Sequence, residues 1–169
     1  MSKPRINNLF GALMLSVNDR VANALCGEMQ ETSEAFAAII TIGNSPGHTV
    51  DWLSRILSLT HSGTVRLLTR LETEQLVGRR ASQYDARSVA IHLTASGEKR
   101  MQELLLARRR AIDHALDALS ANEQQTLCTL IERMLGALTN NDIGDRMCRL
   151  CEERACPQAK CPITLACTN

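Results

Sequence analysis

Five of the seven cysteines in this 169-residue chain fall between residues 148 and 167, in the stretch CRLCEERACPQAKCPITLAC. Cys148, Cys151, Cys156 and Cys161 follow the spacing C-x2-C-x4-C-x4-C, and Cys156 and Cys161 are each followed by proline. A two-residue gap sets two sulfurs on one side of a turn or helix end, and the longer gaps let the chain return with two more. Four thiolates at about 2.3 Å satisfy tetrahedral zinc, the expected cofactor. The same four could hold an iron–sulfur cluster or act as redox-active thiols without metal, and these alternatives stay open. Cys167 is left over, as a spare thiol or an alternative fourth ligand. Arg149, Arg154 and Lys160 stand among the cysteines and could offset thiolate charge.

Which chemistry a cysteine cluster does depends on its compartment. The apolar run LFGALMLSV follows Lys3 and Arg5 but is broken by Asn18, Asp19 and Arg20, with no clean small-residue cleavage site, so a secretory signal is not expected. No stretch approaches the roughly 18 apolar residues of a membrane span. The expected location is cytoplasmic, with no membrane partner; thiols stay reduced there, and the tail cysteines are ligands rather than disulfides. The remaining two, Cys26 and Cys128, lie alone in apolar helical patterns and read as small buried hydrophobes.

The elements that must position these residues are mostly helices. Apolar residues make up 44% of the chain and aromatics 2%, so Leu, Ile, Val, Ala and Met carry the packing. Ile6, Leu9, Phe10, Leu13, Val17, Val21 and Leu25 recur at three- and four-residue steps, giving a long amphipathic first helix. Ser33 can cap a second helix through EAFAAIITIG, ended by the breaker cluster Gly43-Asn44-Ser45-Pro46-Gly47. Thr49 starts a third, VDWLSRILSL, and Thr60 a fourth, HSGTVRLLTRLETE, after a very short connection. Val89, Ile91 and Leu93 then alternate with Ser88, Ala90 and His92, which is strand spacing, and LVGRR is a partner strand across the polar ASQYDA. Thr94 opens a long helix to about Leu119, and Ser120-Ala121-Asn122-Glu123 has the capping-box form that opens another, ending near Thr139.

Two short helices joined by a tight turn and followed by a β-hairpin form a winged helix-turn-helix, so the fold class is mainly α with a small β-hairpin wing and a helical dimerisation region. The segment from His48 to about Arg100 resembles the DNA-binding core of the MarR family of bacterial regulators, because several matches fall in register. TVDWLSRILSL is similar to the family's support helix and THSGTVRLLTRLE to its recognition helix. LVGRR resembles the first wing strand, Asp85-Ala86-Arg87 the D-x-R wing tip, and VAIHLTASG the return strand and turn. The resemblance implies DNA contacts from His61, Ser62, Gly63 and Thr64 at the helix start, from Arg66 and Arg70 one and two turns on, and from Arg87, with Asp85 fixing its direction. This agrees with a recognition helix presenting its N-terminal side chains to base edges and with arginine favouring the minor groove. Between His61 and Arg110 there are ten basic and five acidic residues in a chain whose net charge is only +1. One departure is Gln75, where the family usually has a left-handed glycine; a differently shaped helix end is expected, with Gly78 able to absorb the turn.

Relatives of this kind are homodimers, and the apolar faces of Ile6 to Leu25 and of Leu127, Leu130, Ile131, Met134 and Leu138 suit that role. The expected organisation is 1–47 support and dimerisation helices, 48–97 DNA-binding core, 98–141 C-terminal dimerisation helices and 142–169 a cysteine-rich metal-binding tail. The spacing of that tail matches a zinc knuckle with cysteine in place of its histidine, and it is expected to form a separate knot near the dimerising helices, off the DNA face. The leading function is a dimeric, sequence-specific transcriptional regulator, a repressor, binding a pseudo-palindromic duplex operator and responding to a small-molecule effector, metal or oxidant. The competing reading is an iron–sulfur, redox-sensing or electron-transfer protein that uses the cysteine cluster. An enzyme is disfavoured: no nucleophile–base pairing, phosphate-cradling glycine loop or carboxylate pair stands at catalytic spacing.

Overall fold

Four threonines set the helix starts. In the computed structural model, which describes residues 2–29, 32–81, 89–139, 144–156 and 158–167, the hydroxyls of Thr32, Thr49, Thr60 and Thr94 accept from the backbone N–H three residues on, at 3.4, 3.3, 3.1 and 3.0 Å. The helices that follow the first helix, α1 (Lys3–Met29), are α2 (Ser33–Asn44), α3 (Val50–Leu57), α4 (His61–Thr73) and, after the hairpin, α5 (Ala95–Leu116). The cap of α2 is therefore Thr32 and not Ser33, and α5 stops at Leu116, short of Leu119. The next helix, α6 (Ala121–Leu138), starts where the Glu123 carboxylate accepts the Ser120 N–H at 2.9 Å. Short pieces follow: α7 (Gly144–Met147), a 3-10 turn over Gln158–Lys160, and α8 (Pro162–Cys167).

The core forms around α2, which is apolar on every side and is buried from Ala35 to Ile42. Phe36, Ile39, Leu53, Leu68, Leu71 and Leu104 are each at most 1% exposed, so α2, α3, α4 and α5 share one interior. α1 packs along α5. The wing strands β1 (Val77–Ala81) and β2 (Val89–Leu93) pair antiparallel, with Val77 opposite Leu93 and Arg79 opposite Ile91. The alternation read for β2 is imperfect: Val89 is exposed at the hairpin end, whereas both Ala90 and Ile91 are buried.

Both helix stops around α4 are left-handed without glycine. Ser58 has φ 57° and Gln75 φ 58°. After α3, Leu59 N–H donates to Ser54 O at 3.0 Å; after α4, Leu76 N–H donates to Leu71 O at 2.9 Å. These six-to-one bonds, with the inner bonds Ser58 to Arg55 and Gln75 to Glu72, are paired Schellman stops. Gln75 thus takes the turn itself, and Gly78 stays in β1. Gly97 permits a close approach: a Cβ there would run into the Leu76 carbonyl, whose oxygen accepts from Thr94 N–H.

Candidate nucleic-acid interface and cysteine cluster

The short turn Ser58–Thr60 sets α4 across α3, and two side-chain contacts fix the crossing. Ser54 of α3 donates to Thr64 Oγ1 at 2.9 Å, and His61 Nδ1 lies 2.6 Å from the Asp51 carboxylate. The first contact overturns one expectation. Thr64 is 0% exposed, and its hydroxyl also donates to Thr60 O, so it cannot present an edge to DNA. It lies four and seven residues before Leu68 and Leu71, which puts it on the same inward face. Gly63 is also half-covered, and a Cβ there would stand 3.0 Å from Thr60 Oγ1.

The outward face of α4 carries His61, Ser62, Arg66 and Thr69, all exposed. Thr69 was missed by the sequence reading, although its spacing of three from Arg66 and seven from Ser62 puts it in the same stripe. Its hydroxyl donates to Val65 O at 3.0 Å. Arg70 is half-buried instead, with Nε 3.5 Å from the Glu74 carboxylate. Its charge also acts on Glu34, whose carboxyl is held below its usual range mainly by a backbone hydrogen bond and the Thr32 and Ser33 hydroxyls. On the wing, Arg79 pairs with Glu72 of α4 at 2.7 Å and Arg80 is exposed. Asp85 and Arg87, expected at the wing tip, lie outside the described residues.

Known proteins are similar to this chain in sequence and fold. Streptococcus pneumoniae FabT, solved in complex with DNA, superposes with a TM-score of 0.67 at 22% identity, over 81% of this chain and 97% of that one. A Mycobacterium tuberculosis MarR family protein solved with salicylic acid gives 0.57 at 25% identity, over 79% of this chain and 96% of that one. The transcriptional repressor MprA of Escherichia coli K12 is 27% identical over 105 residues, 61% of this chain and 60% of MprA, so the match spans less than two thirds of that repressor. Residues 32–88 match the family model described as MarR family. The chain carries a winged helix similar to that of the MarR family.

The MarR match ends at residue 88, well before the cysteines. Cys148, Cys151, Cys156, Cys161 and Cys167 nevertheless line one cavity of about 260 Å³, walled also by Leu135 of α6 and Ile163 of α8. All seven cysteines are free thiols. Side-chain hydrogen bonds link Cys148 with Cys151 and with Cys161, and Cys161 with Cys156. Among the described residues, no three His, Cys, Asp or Glu side chains are arranged as they stand to share one ion. The hydrogen bond with Cys148 holds the Cys151 thiol down to about 7, with help from the Arg108 charge and against burial; Cys148 is pushed up by the same bond and by burial. Cys156 is raised, first by burial. Burial also opposes ionisation of Cys161, yet that thiol is lowered because the backbone N–H groups of Thr164 and Ile163 and the Thr164 hydroxyl donate to it.

The tail is not a separate knot. The Asn44 amide donates to Cys151 O at 2.9 Å, Thr41 Oγ1 donates to Arg149 O at 3.4 Å, and Leu150 packs against the main core. Arg109 of α5 donates to the Glu152 carboxylate at 2.6 Å, while α7 meets α3 and α8 lies along α6. Apolar Leu150 and two carbonyls facing donors on α2 draw the segment onto the body. Arg108 and Arg109, two of the ten basic residues in the local charge excess, therefore face the tail. Cys26 and Cys128 are exposed in the single chain, against the expectation of burial, because they sit on faces of α1 and α6 that no described element covers.

Proposed function

We propose that this chain is a sequence-specific, DNA-binding transcriptional regulator that acts as a homodimeric repressor on a pseudo-palindromic duplex operator in the cytoplasm. The observation that carries the reading is the exposed stripe Ser62, Arg66 and Thr69 on the second helix of a helix-turn-helix, beside a hairpin wing, within a MarR-family match. A hydroxyl, a guanidinium and a methyl on one helix face are groups that meet base edges, phosphates and thymine methyls in a major groove. The DNA-bound state of FabT and the repressor role of MprA support the assignment. Among the described residues, no helix is long and apolar enough to cross a membrane.

Dimerisation is supported by two uncovered apolar faces. Ile6, Leu9, Phe10 and Leu13 of α1 are 40–51% exposed, and Leu130, Ile131, Met134 and Leu138 of α6 are 40–64% exposed. Apolar area on this scale marks a protein interface. A small-molecule effector has a candidate site in the cavity of about 370 Å³ between Ile42 and Asn44 of α2, His92 of β2, Met101 of α5 and Arg154 of the tail. The M. tuberculosis protein solved with salicylic acid supports a small-molecule ligand. Selection from random duplexes with the purified protein, followed by measured binding at several salt concentrations, tests the proposal. Recovery of a two-fold motif bound by two chains is expected. Binding that is weak and indifferent to sequence would overturn it.

A further inference from the structure

We infer that the cysteine tail is a zinc-closed strut that ties α6 to the winged helix, so that zinc occupancy sets how firmly the reading head is held. The regulatory half of this inference rests on the DNA-binding reading above, whereas the zinc site does not.

The strut is visible in the packing. Among the described residues, the main partner of α6 is α8, from the tail. The other end of the tail is docked on α2 through Asn44 and Thr41, on α5 through Arg109, and on the core through Leu150. Between these two ends lie Cys148, Cys151, Cys156 and Cys161, around the cavity beside Leu135 and Ile163. A segment of this size, with few large side chains, gains a firmer hold on both ends from a cross-link between them.

Four free thiols on one cavity, in the C-x2-C-x4-C-x4-C spacing, are the donor set of a structural zinc site. Hydrogen bonds already bring these thiols together, and rotation between staggered rotamers is the motion that would turn them onto one ion. Binding one Zn2+ displaces the thiol protons and leaves a site of net charge 2− when all four are thiolates. Arg108, whose charge already acts on Cys151, stands where it offsets that charge. Closing the ring fixes Cys151, and with it the carbonyl that Asn44 holds at the C-terminal end of α2, next to the start of the support helix.

The experiment uses the full chain, purified under reducing conditions. Elemental analysis should find one zinc per chain. Ser substitution at Cys148, Cys151 or Cys161 should abolish it, at Cys156 should at least weaken it, and at Cys167, Cys26 or Cys128 should leave it. Chelation should raise hydrogen exchange at residues 36–44 and 148–153 and weaken operator binding by about 5- to 150-fold. Asn44→Ala should keep the zinc and reproduce part of that loss, because it cuts the dock and spares the site. Reduced protein without zinc, or with iron in its place, would overturn the zinc site whatever the DNA result. A zinc-loaded protein whose exchange at residues 36–44 ignores chelation would overturn the strut. Zinc-dependent exchange in a protein that binds no operator would uphold the strut and overturn only the regulator reading.

Discussion

Thr64 and Arg66 are two residues apart on α4 and face opposite ways, so their substitutions separate stability from recognition. Thr64→Val removes the buried hydroxyl that accepts from Ser54 and should lower the unfolding free energy by about 1–2 kcal/mol, read by urea denaturation. The base preference of the protein should not change; a shifted preference at unaltered stability would return Thr64 to the groove. Arg66→Ala should leave stability within about 0.5 kcal/mol, since the side chain is exposed. If Arg66 meets a phosphate, the same change should weaken binding to all duplexes alike and reduce the salt slope by about 1. Exchanging the outward Ser62 or Thr69 is where altered base preference is expected, and a random-duplex selection distinguishes the cases. The helical period shows that Thr64, Leu68 and Leu71 share a face, and that face could have been read as the inward one. The attraction of a threonine at a helix start, a residue type that also suits base contact, concealed it.

At the scale of elements, the two left-handed stops on either side of α4 are unusual in lacking glycine. A non-glycine residue at φ near +57° costs about 1–2 kcal/mol, and glycine loses part of that advantage through its greater freedom when unfolded, about 0.5–1 kcal/mol. Gln75→Gly and Ser58→Gly are therefore each expected to stabilise the chain by up to about 1 kcal/mol, measured by thermal or denaturant unfolding. Destabilisation by either would mean that the Ser58 or Gln75 side chain contributes more than its strain. Gly97→Ala should act in the opposite direction, by more than 1 kcal/mol, because the added methyl meets the Leu76 carbonyl and neither backbone can give way cheaply. The four threonine caps put most helix starts within reach of sequence reading, since a cap acts on the next three residues and is local. The stop at Gln75 was harder to read, because glutamine carries none of the left-handed preference by which a glycine would announce it.

At the scale of the molecule, the faces of α1 and α6 are the largest departure from a self-sufficient monomer. Replacing Leu130 or Leu13 by glutamate puts a charge in the middle of one of them, and each change is expected to shift a dimer to a monomer in analytical ultracentrifugation. Operator binding should fall in step, because two reading heads are needed to span both half-sites. Dimers that persist with glutamate on both faces would place the interface elsewhere.

The sequence by itself determined the order of helices, the hairpin, the resemblance to a MarR winged helix and the thiol spacing, because caps, periodicity and ligand gaps are short-range properties. Only the tertiary structure decided which faces are covered. It turned Thr64 inward, left Cys26 and Cys128 exposed, and directed Arg108 and Arg109 to the tail. It also docked the tail on α2 through contacts such as Asn44 to Cys151, which are 107 residues apart. A helical period shows which side chains share a face, but the neighbour that meets that face is chosen by packing between segments distant in the chain, where no local rule applies.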